Sequence, residues 1–415
     1  MITRIIIEHF KSIEYCDLTL GPVNIFVGPN GSGKSNIIDA ISFLKDAVEH
    51  GLDYAFRERL GFESVRQWSG DDDRHPIRIQ VHLCDETGRG IYQLLLSENG
   101  EGYAVSGEKA EWVPNDQDGE NKVFSLDRTP EGHCLLELTD FRYGKTLNKE
   151  THFSIQGDLK ALSLPPRHDG TFIIGSIGYG KKVTFLLTEY EAYSFFSDAL
   201  RKAQARGHKY RVSKDGGNTY GILKSMQNGE RGALAKQTVS ESLARLMPNL
   251  TDVRIEELGG FLVPLFEVAE PKPGYGQAKT HTFNVAQVSD GTLRALGLLT
   301  ALYHPDRPGM IALEEPEQML HPGALAVLAE AIKESSEQSQ IFITTHSPDL
   351  LDHFDPESVF AVEMVDGVTK VAGVSEGQMA SVREGLFTLG EIMSMEGVMR
   401  ASPPPPDTAT GTDDA

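Results

Sequence analysis

The sequence predicts an α/β fold with a mixed sheet, an antiparallel β lobe and a short helical insertion. Three observations predict it. A short apolar run, Val23 to Val27, leads through a glycine-rich turn into a stretch where Ile37, Ile38, Ile41, Leu44 and Val48 recur at helical spacing. From about Ile77 to Gly175 the spacing changes to period two, with Ile77, Ile79, Val81 and Leu83 alternating with polar neighbours. After Val288 helix-period and strand-like runs alternate again.

In chain order, Val23 to Val27 reads as a strand and Ser35 to His50 as a helix. The runs IYQLLL, KVFSL, THFSI and TFIIG, each bounded by polar turn segments, read as strands of the lobe. Helical patterns over Leu187 to Arg206 and Lys224 to Leu246, joined through Asp215-Gly216-Gly217-Asn218, form the insertion; no heptad repeat is sustained there, which excludes a long coiled coil. A helix follows over Leu293 to Tyr303, then a strand Met310 to Leu313, a helix Gly323 to Ser335 and a strand Gln340 to Thr345. Val359 to Met364 and Val368 to Val371 read as late strands. The end, ASPPPPDTATGTDDA, has no bulky apolar residue and is expected to be disordered. The expected division is therefore 1–180 for the first half of the α/β unit with its β-rich lobe, 181–280 for the insertion and connecting strands, 281–400 for the second half, and 401–415 for the tail.

Composition narrows the function. With 415 residues, 40% of them hydrophobic, the chain can bury a substantial core. Acidic residues number 60 against 39 basic, a formal charge of −21, so the surface as a whole is no nucleic-acid clamp and any such contact must be local. Arg201, Lys202, Arg206, Lys209, Arg211 and Lys214 form one local basic cluster, which reads more simply as a solvated face. No apolar stretch approaches the roughly 20 residues a membrane helix needs, so no membrane contact is expected. Three cysteines without metal-ligand spacing fit a reduced, cytoplasmic compartment.

Four motifs carry chemistry. Gly28-Pro29-Asn30-Gly31-Ser32-Gly33-Lys34-Ser35 matches G-x-x-x-x-G-K-[ST] between a strand and a helix. Its glycines let successive N–H groups point inward at phosphate oxygens, and the helix start aims its positive dipole end at the same anion. Lys34 would hold the β- and γ-phosphates, and Ser35 would ligate Mg²⁺. Ile311-Ala312-Leu313-Glu314-Glu315 is an apolar strand ending in carboxylates, which implies two roles: Glu314 holding the metal and Glu315 polarising the attacking water. A second strand, Gln340 to Thr345, ends at His346, placed to contact the γ-phosphate. Ser289-Asp290-Gly291 begins an amphipathic helix as a good N-cap and a further anion site.

The order and wording of these motifs resemble the ABC-type ATPase head, specifically the AAA-annotated ATPases grouped with RecF, SMC and OLD proteins. The residues carrying the resemblance are Phe10-Lys11-Ser12 ahead of GPNGSGKSN, then VSDGTLR, IALEEPEQMLHP and ITTHSPDLL. The resemblance is to the head without a Toprim nuclease domain or long coiled coil, the stretch after His346 being short for the former. It implies ATP and Mg²⁺ as cofactors and a head-to-tail homodimer sandwiching two ATP molecules. Asn30, Gly31, Ser32, Gly33, Lys34, Ser35 and Asn36 of one copy would bind nucleotide together with Ser289 and Gly291 of the other. Glu315 and His346 would be catalytic, with Ser35, Glu314 and Gln67 around the metal. Gln67 reads equally well as a surface glutamine before a turn. Two residues depart from the usual ABC pattern: Glu314 stands where most members have Asp, and His321 replaces the D-loop Asp. The implied function is a nucleotide-driven dimeric switch in DNA repair or anti-phage defence, acting through a separately encoded effector such as a nuclease, with DNA as a further contact. The alternative is a nucleotide-gated interaction module with slow turnover and no DNA contact.

Overall fold

The computed structural model describes residues 1–67, 75–100, 102–115, 182–206, 210–270 and 279–402, and the backbone of 122–128, 133–140 and 153–154. TFIIG, Lys209 and the tail beyond residue 402 lie outside the described residues.

The chain enters through an antiparallel pair, β1 (Ile2–Phe10) and β2 (Ile13–Thr19), before β3 (Val23–Val27). The loop after β3 ends at Gly33, and the helix Lys34–His50 buries Ile37, Ile38, Ile41 and Leu44 as the helical spacing requires. The helix stops at Gly51, whose φ of 93° no side chain favours. The lobe consists of β4 (Ile77–Asp85), β5 (Gly88–Asn99), β6 (Gly102–Pro114), β7 (Lys122–Arg128), β8 (His133–Asp140) and β9 (Phe153–Ser154), antiparallel throughout.

The lobe is not a separate sheet. β4 pairs with β1, with Ile7 opposite Ile79, so the lobe extends the sheet that carries the glycine-rich loop. Beyond β2 come the later strands β10 (Tyr190–Tyr193), β15 (Met310–Glu314), β16 (Gln340–Thr345), β17 (Val359–Val365) and β18 (Val368–Gly373). Among the described residues the order is β10-β15-β16-β3-β17-β18-β2-β1-β4 and on through the lobe. From β10 to β17 neighbours are parallel, and β18 turns back against β17. A second, smaller sheet contains β11 (Gln204–Ala205), β12 (Leu250–Leu258), β13 (Phe261–Ala269) and β14 (Thr280–Phe283).

One expected helix is corrected. The pattern over Leu187 to Arg206 does not form a single helix: a helix at 182–188 is followed by β10 and then by a short helix, Ser197–Arg201. Tyr190 and Ala192 turn to one face of the sheet and Tyr193 to the other, so the apolar residues obey the strand period once β15 is there to pair with them. The second pattern, over Lys224 to Leu246, is found as the helix Glu230–Leu246, starting at Gly229 with φ 84°; a separate short helix, Thr219–Ser225, precedes it.

Two apolar layers cover the parallel strands. Phe26, Met310, Ala312 and Phe342 pack with Lys34–His50 on one face; Ile25, Val27, Ile311, Leu313, Ile341 and Ile343 pack with the helices Asp290–Tyr303 and Pro322–Ser336 on the other. Strands buried on both faces lose the polar alternation of an exposed sheet. The N-terminal strand is tied to this layer by the buried Gln340 amide. Its Oε1 accepts from Ile2 N at 2.7 Å, and its Nε2 donates to Ile2 O at 2.7 Å and Gly21 O at 2.8 Å. Gln340→Leu keeps the volume and removes all three bonds from the Ile2 and Gly21 backbone, leaving Gly21 O with the one it accepts from Asn24 Nδ2 at 2.8 Å. Chemical denaturation should show a loss on the order of 3 kcal/mol.

Candidate functional site

β3, β15 and β16 are adjacent, parallel and end at the same edge, so the glycine-rich loop, the two carboxylates and His346 all emerge there. Open α/β sheets bind ligands at this edge. Gly33 caps the helix in the left-handed region, φ 98° and ψ 13°, which a residue with a Cβ adopts only under strain. Asn30, Gly31 and Ser35 are exposed, whereas Ser32 and Lys34 are buried. The Lys34 ammonium donates to Gly28 O at 2.8 Å and Pro29 O at 3.2 Å and lies 3.8 Å from Glu315 Oε1. Burial draws its pKa down, and Glu315 and Glu317 oppose that.

The period of the strand carries Glu314 onto the face of Met310 and Ala312, the side of the Lys34 helix. Burial pushes its carboxyl above the ordinary carboxylate range. Glu315 breaks the strand, with φ 46°, an uncommon conformation for a non-glycine residue. Three hydrogen bonds hold its backbone there. Its N–H donates to Thr344 O at 2.9 Å, and its carbonyl accepts from Arg294 at 3.0 Å and Gln318 N at 3.2 Å. The turn aims the side chain at Lys34 and at His346, whose Nδ1 donates to Glu315 Oε2. The expected base and the expected switch histidine are thus brought together. Backbone strain held by its surroundings concentrates at functional positions.

Glu317 was not singled out by the sequence. It is buried, and its Oε1 accepts from Thr345 Oγ1 at 2.5 Å and from His346 N at 3.2 Å, so it fixes the segment that carries the histidine. In sequence it is one more carboxylate of an acidic turn; only the fold turns it inward. Glu315, Glu317 and His346 have ligand atoms within 4.8 Å of one another.

Ser289 caps the helix Asp290–Tyr303, its hydroxyl accepting from Thr292 N at 3.2 Å, and it is exposed. A Cβ on Gly291 would stand 2.3 Å from Met319 O, so the glycine permits the helix start to rest on the loop after Glu315. Arg201 clamps the same helix start, donating to Asp290 Oδ1 at 2.7 Å, Val285 O at 2.6 Å and Val288 O at 2.9 Å. His321, at the position where most members have Asp, caps the helix Pro322–Ser336: its Nδ1 accepts from Gly323 N at 3.1 Å. Gln67 Oε1 faces His9 Nδ1 at 2.9 Å, and Asn36 Nδ2 donates to Ser12 Oγ at 2.6 Å.

Two arginines of the basic cluster, Arg201 and Arg211, are spent inside the protein, while Arg206 is mostly exposed. Arg201 holds Asp290, Arg211 bonds both oxygens of Glu189 at 2.8 and 2.6 Å, and Arg206 lies 3.7 Å from Glu257. The loop and strand ends, by contrast, have spare donors. Among the described residues, Ser32 Oγ and Thr344 Oγ1 are buried with no hydrogen-bond partner, and they sit with a buried ammonium and the exposed Ser35 hydroxyl. That donor set fits a polyphosphate with a divalent cation.

Several known proteins are similar to this chain. The family described as "AAA domain, putative AbiEii toxin, Type IV TA system" matches residues 23–352. The OLD nuclease of Thermus scotoductus is 24% identical over 373 residues, which cover 85% of this chain and 60% of that protein. The DNA replication and repair protein RecF of Proteus mirabilis is 33% identical over 144 residues, 33% of this chain and 35% of that protein. The chain therefore spans less than two thirds of the length of either relative. An SMC head bound to the C-winged helix domain of ScpA covers 91% of this chain and 99% of that chain at 16% identity and TM-score 0.48; the SMC head domain from Thermotoga maritima covers 90% and 99% at 17% and 0.40.

Burial, with Glu315 adding to it, pushes the Glu317 carboxyl above the ordinary range. A raised native value means that the folded chain holds this proton more tightly than the unfolded one, so stability falls as pH rises from the ordinary value near 4.5 toward the raised one. Glu317→Gln keeps an acceptor for Thr345 and His346 N without the charge. In thermal melts it should exceed wild type at about pH 8, with the gap closing toward about pH 5.

Proposed function

The chain belongs to this AAA domain family and is an ABC-type ATPase head of the RecF, SMC and OLD group, and from that premise we propose that it binds and hydrolyses ATP as a head-to-tail homodimer. The observation that carries the reading is the strained turn at Glu315, which sets one carboxylate between the loop lysine and His346.

Lys34 exchanges its loop carbonyls and Glu315 for the β- and γ-phosphates, a stronger, charge-assisted pairing. The N–H groups from Gly31 to Ser35, with Asn30 and Asn36 flanking them, surround the anion at the helix start. Ser35 and Glu314 would hold Mg²⁺, which when bound neutralises phosphate charge; Gln67 is a further candidate ligand. Once Lys34 is taken up by phosphate, Glu315 is free to orient and polarise water, and His346 donates to the γ-phosphate instead of to Glu315. Ser289 and Gly291 of the second copy close the site over the γ-phosphate. Turnover then times the opening and closing of the dimer.

We place the switch in DNA repair or anti-phage defence, in the cytoplasm, acting on a separately encoded effector such as a nuclease; the similarity to an OLD nuclease and to RecF supports this. The second reading, a nucleotide-gated interaction module without DNA contact, is favoured by one observation: the arginines of the basic cluster are engaged by Asp290, Glu189 and Glu257. ATP turnover with and without added DNA at low salt separates the two, since only the first predicts a change.

Lys34→Ala should abolish binding of ATP measured by titration calorimetry. Glu315→Gln should bind ATP normally and slow turnover by about 10² or more, the scale of a lost general base. If Glu314→Gln alone gives that pattern, the two carboxylates have the opposite roles.

A further inference from the structure

The two glycines that bracket the loop are pressed by the hairpin β17–β18, which no motif of the sequence marks. A Cβ on Gly28 would lie 2.0 Å from Val362 O, and one on Gly33 would lie 2.0 Å from Thr369 Oγ1. Thr369 is fully buried, and its hydroxyl donates to the carbonyl of Ser32, inside the loop, at 2.9 Å. A hydroxyl has one proton, so the 2.6 Å contact between Ser12 and Thr369 must be donated by Ser12. Ser12 Oγ in turn accepts from Asn36 Nδ2 at 2.6 Å, and Thr369 N donates to Ser12 O at 2.7 Å. The chain of donors therefore has one direction: Asn36 to Ser12 to Thr369 to the Ser32 carbonyl. It joins the first turn of the loop helix, the β1–β2 turn and the C-terminal hairpin.

We infer that Thr369 is a positioning residue of the nucleotide loop, its hydroxyl fixing the Ser32 carbonyl so that the neighbouring N–H groups stay turned toward the phosphate. A backbone carbonyl in a left-handed loop is free to flip unless something holds it, and one flipped peptide replaces a phosphate donor with a repelling oxygen. The hydroxyl holds that carbonyl from β18, a strand of the main sheet paired to β17 and β2 rather than part of the loop. The inference rests on the nucleotide reading proposed above.

The test compares the full-length chain as wild type, Thr369→Val, Thr369→Ser, Ser12→Ala and Lys34→Ala by titration with a fluorescent ATP analogue, with a thermal melt of each. Valine keeps the β-branched shape and removes only the hydroxyl. It should weaken nucleotide binding by about tenfold, the loss of one buried hydrogen bond that shapes the site. Thr369→Ser, which restores the hydroxyl, should bind as wild type, and Ser12→Ala should show a smaller loss. Wild-type affinity in Thr369→Val while Lys34→Ala fails to bind overturns the inference and leaves the nucleotide reading standing. Equal loss in Thr369→Ser and Thr369→Val also overturns it, because the hydroxyl is then irrelevant. If Lys34→Ala binds as wild type, the nucleotide reading falls and this inference with it. Should Thr369→Val fail to fold, Ser12→Ala decides: unchanged affinity there refutes the chain of donors.

Discussion

A buried ammonium governs the site. Lys34 is 6% exposed, and a charge so placed costs heavily unless it is paired and hydrogen-bonded. The partners it has are two loop carbonyls and, 3.8 Å off, the Glu315 carboxylate. None of these matches a phosphate oxygen, so the arrangement favours an anion that displaces them. The same contact ties Glu315 to the lysine, so in the proposed cycle an anion that displaces it also frees the carboxylate.

The rest of the molecule makes this arrangement rigid. β3, β15 and β16 are buried on both faces, and each delivers one part of the site from its C-terminal end. Glu315 departs from strand geometry with φ 46°, and the bond it donates to Thr344 O and those it accepts from Arg294 and Gln318 hold that departure. Arg294 belongs to the helix capped by Ser289, so that helix also grips the backbone of Glu315. Arg201 fixes the start of that helix in turn. Two arginines thus connect the start of this helix with the backbone of Glu315.

Much of this was legible in the sequence. The strand, loop and helix at the N-terminus, the helix Asp290–Tyr303 and the strands β15 and β16 lie where apolar period and capping residues put them. The site residues chosen from the motifs converge where strand order allows: Lys34, Glu315 and His346 touch. What escaped the sequence depends on tertiary partners. β10 hides in a segment with a helical pattern because its strand character comes from pairing with β15. Glu317 looks like part of a solvated acidic turn until Thr345 and His346 are placed over it. Thr369 reads as an ordinary strand threonine, and its bond to Ser32 spans 337 positions of the chain. The continuity of the β lobe with the main sheet rests on β1 and β4, whose pairing no local pattern announces.

The proposal's central claim is that one triphosphate is held by Lys34 of one copy and Ser289 of another. The most direct test mixes two variants, Lys34→Ala and Ser289→Arg, and measures ATP turnover of each alone and of the mixture. In a shared site, each variant alone is silent, and a mixed dimer has one pocket in which both residues are intact, so mixing restores turnover. Full turnover by Ser289→Arg alone, or a mixture as silent as its components, contradicts it.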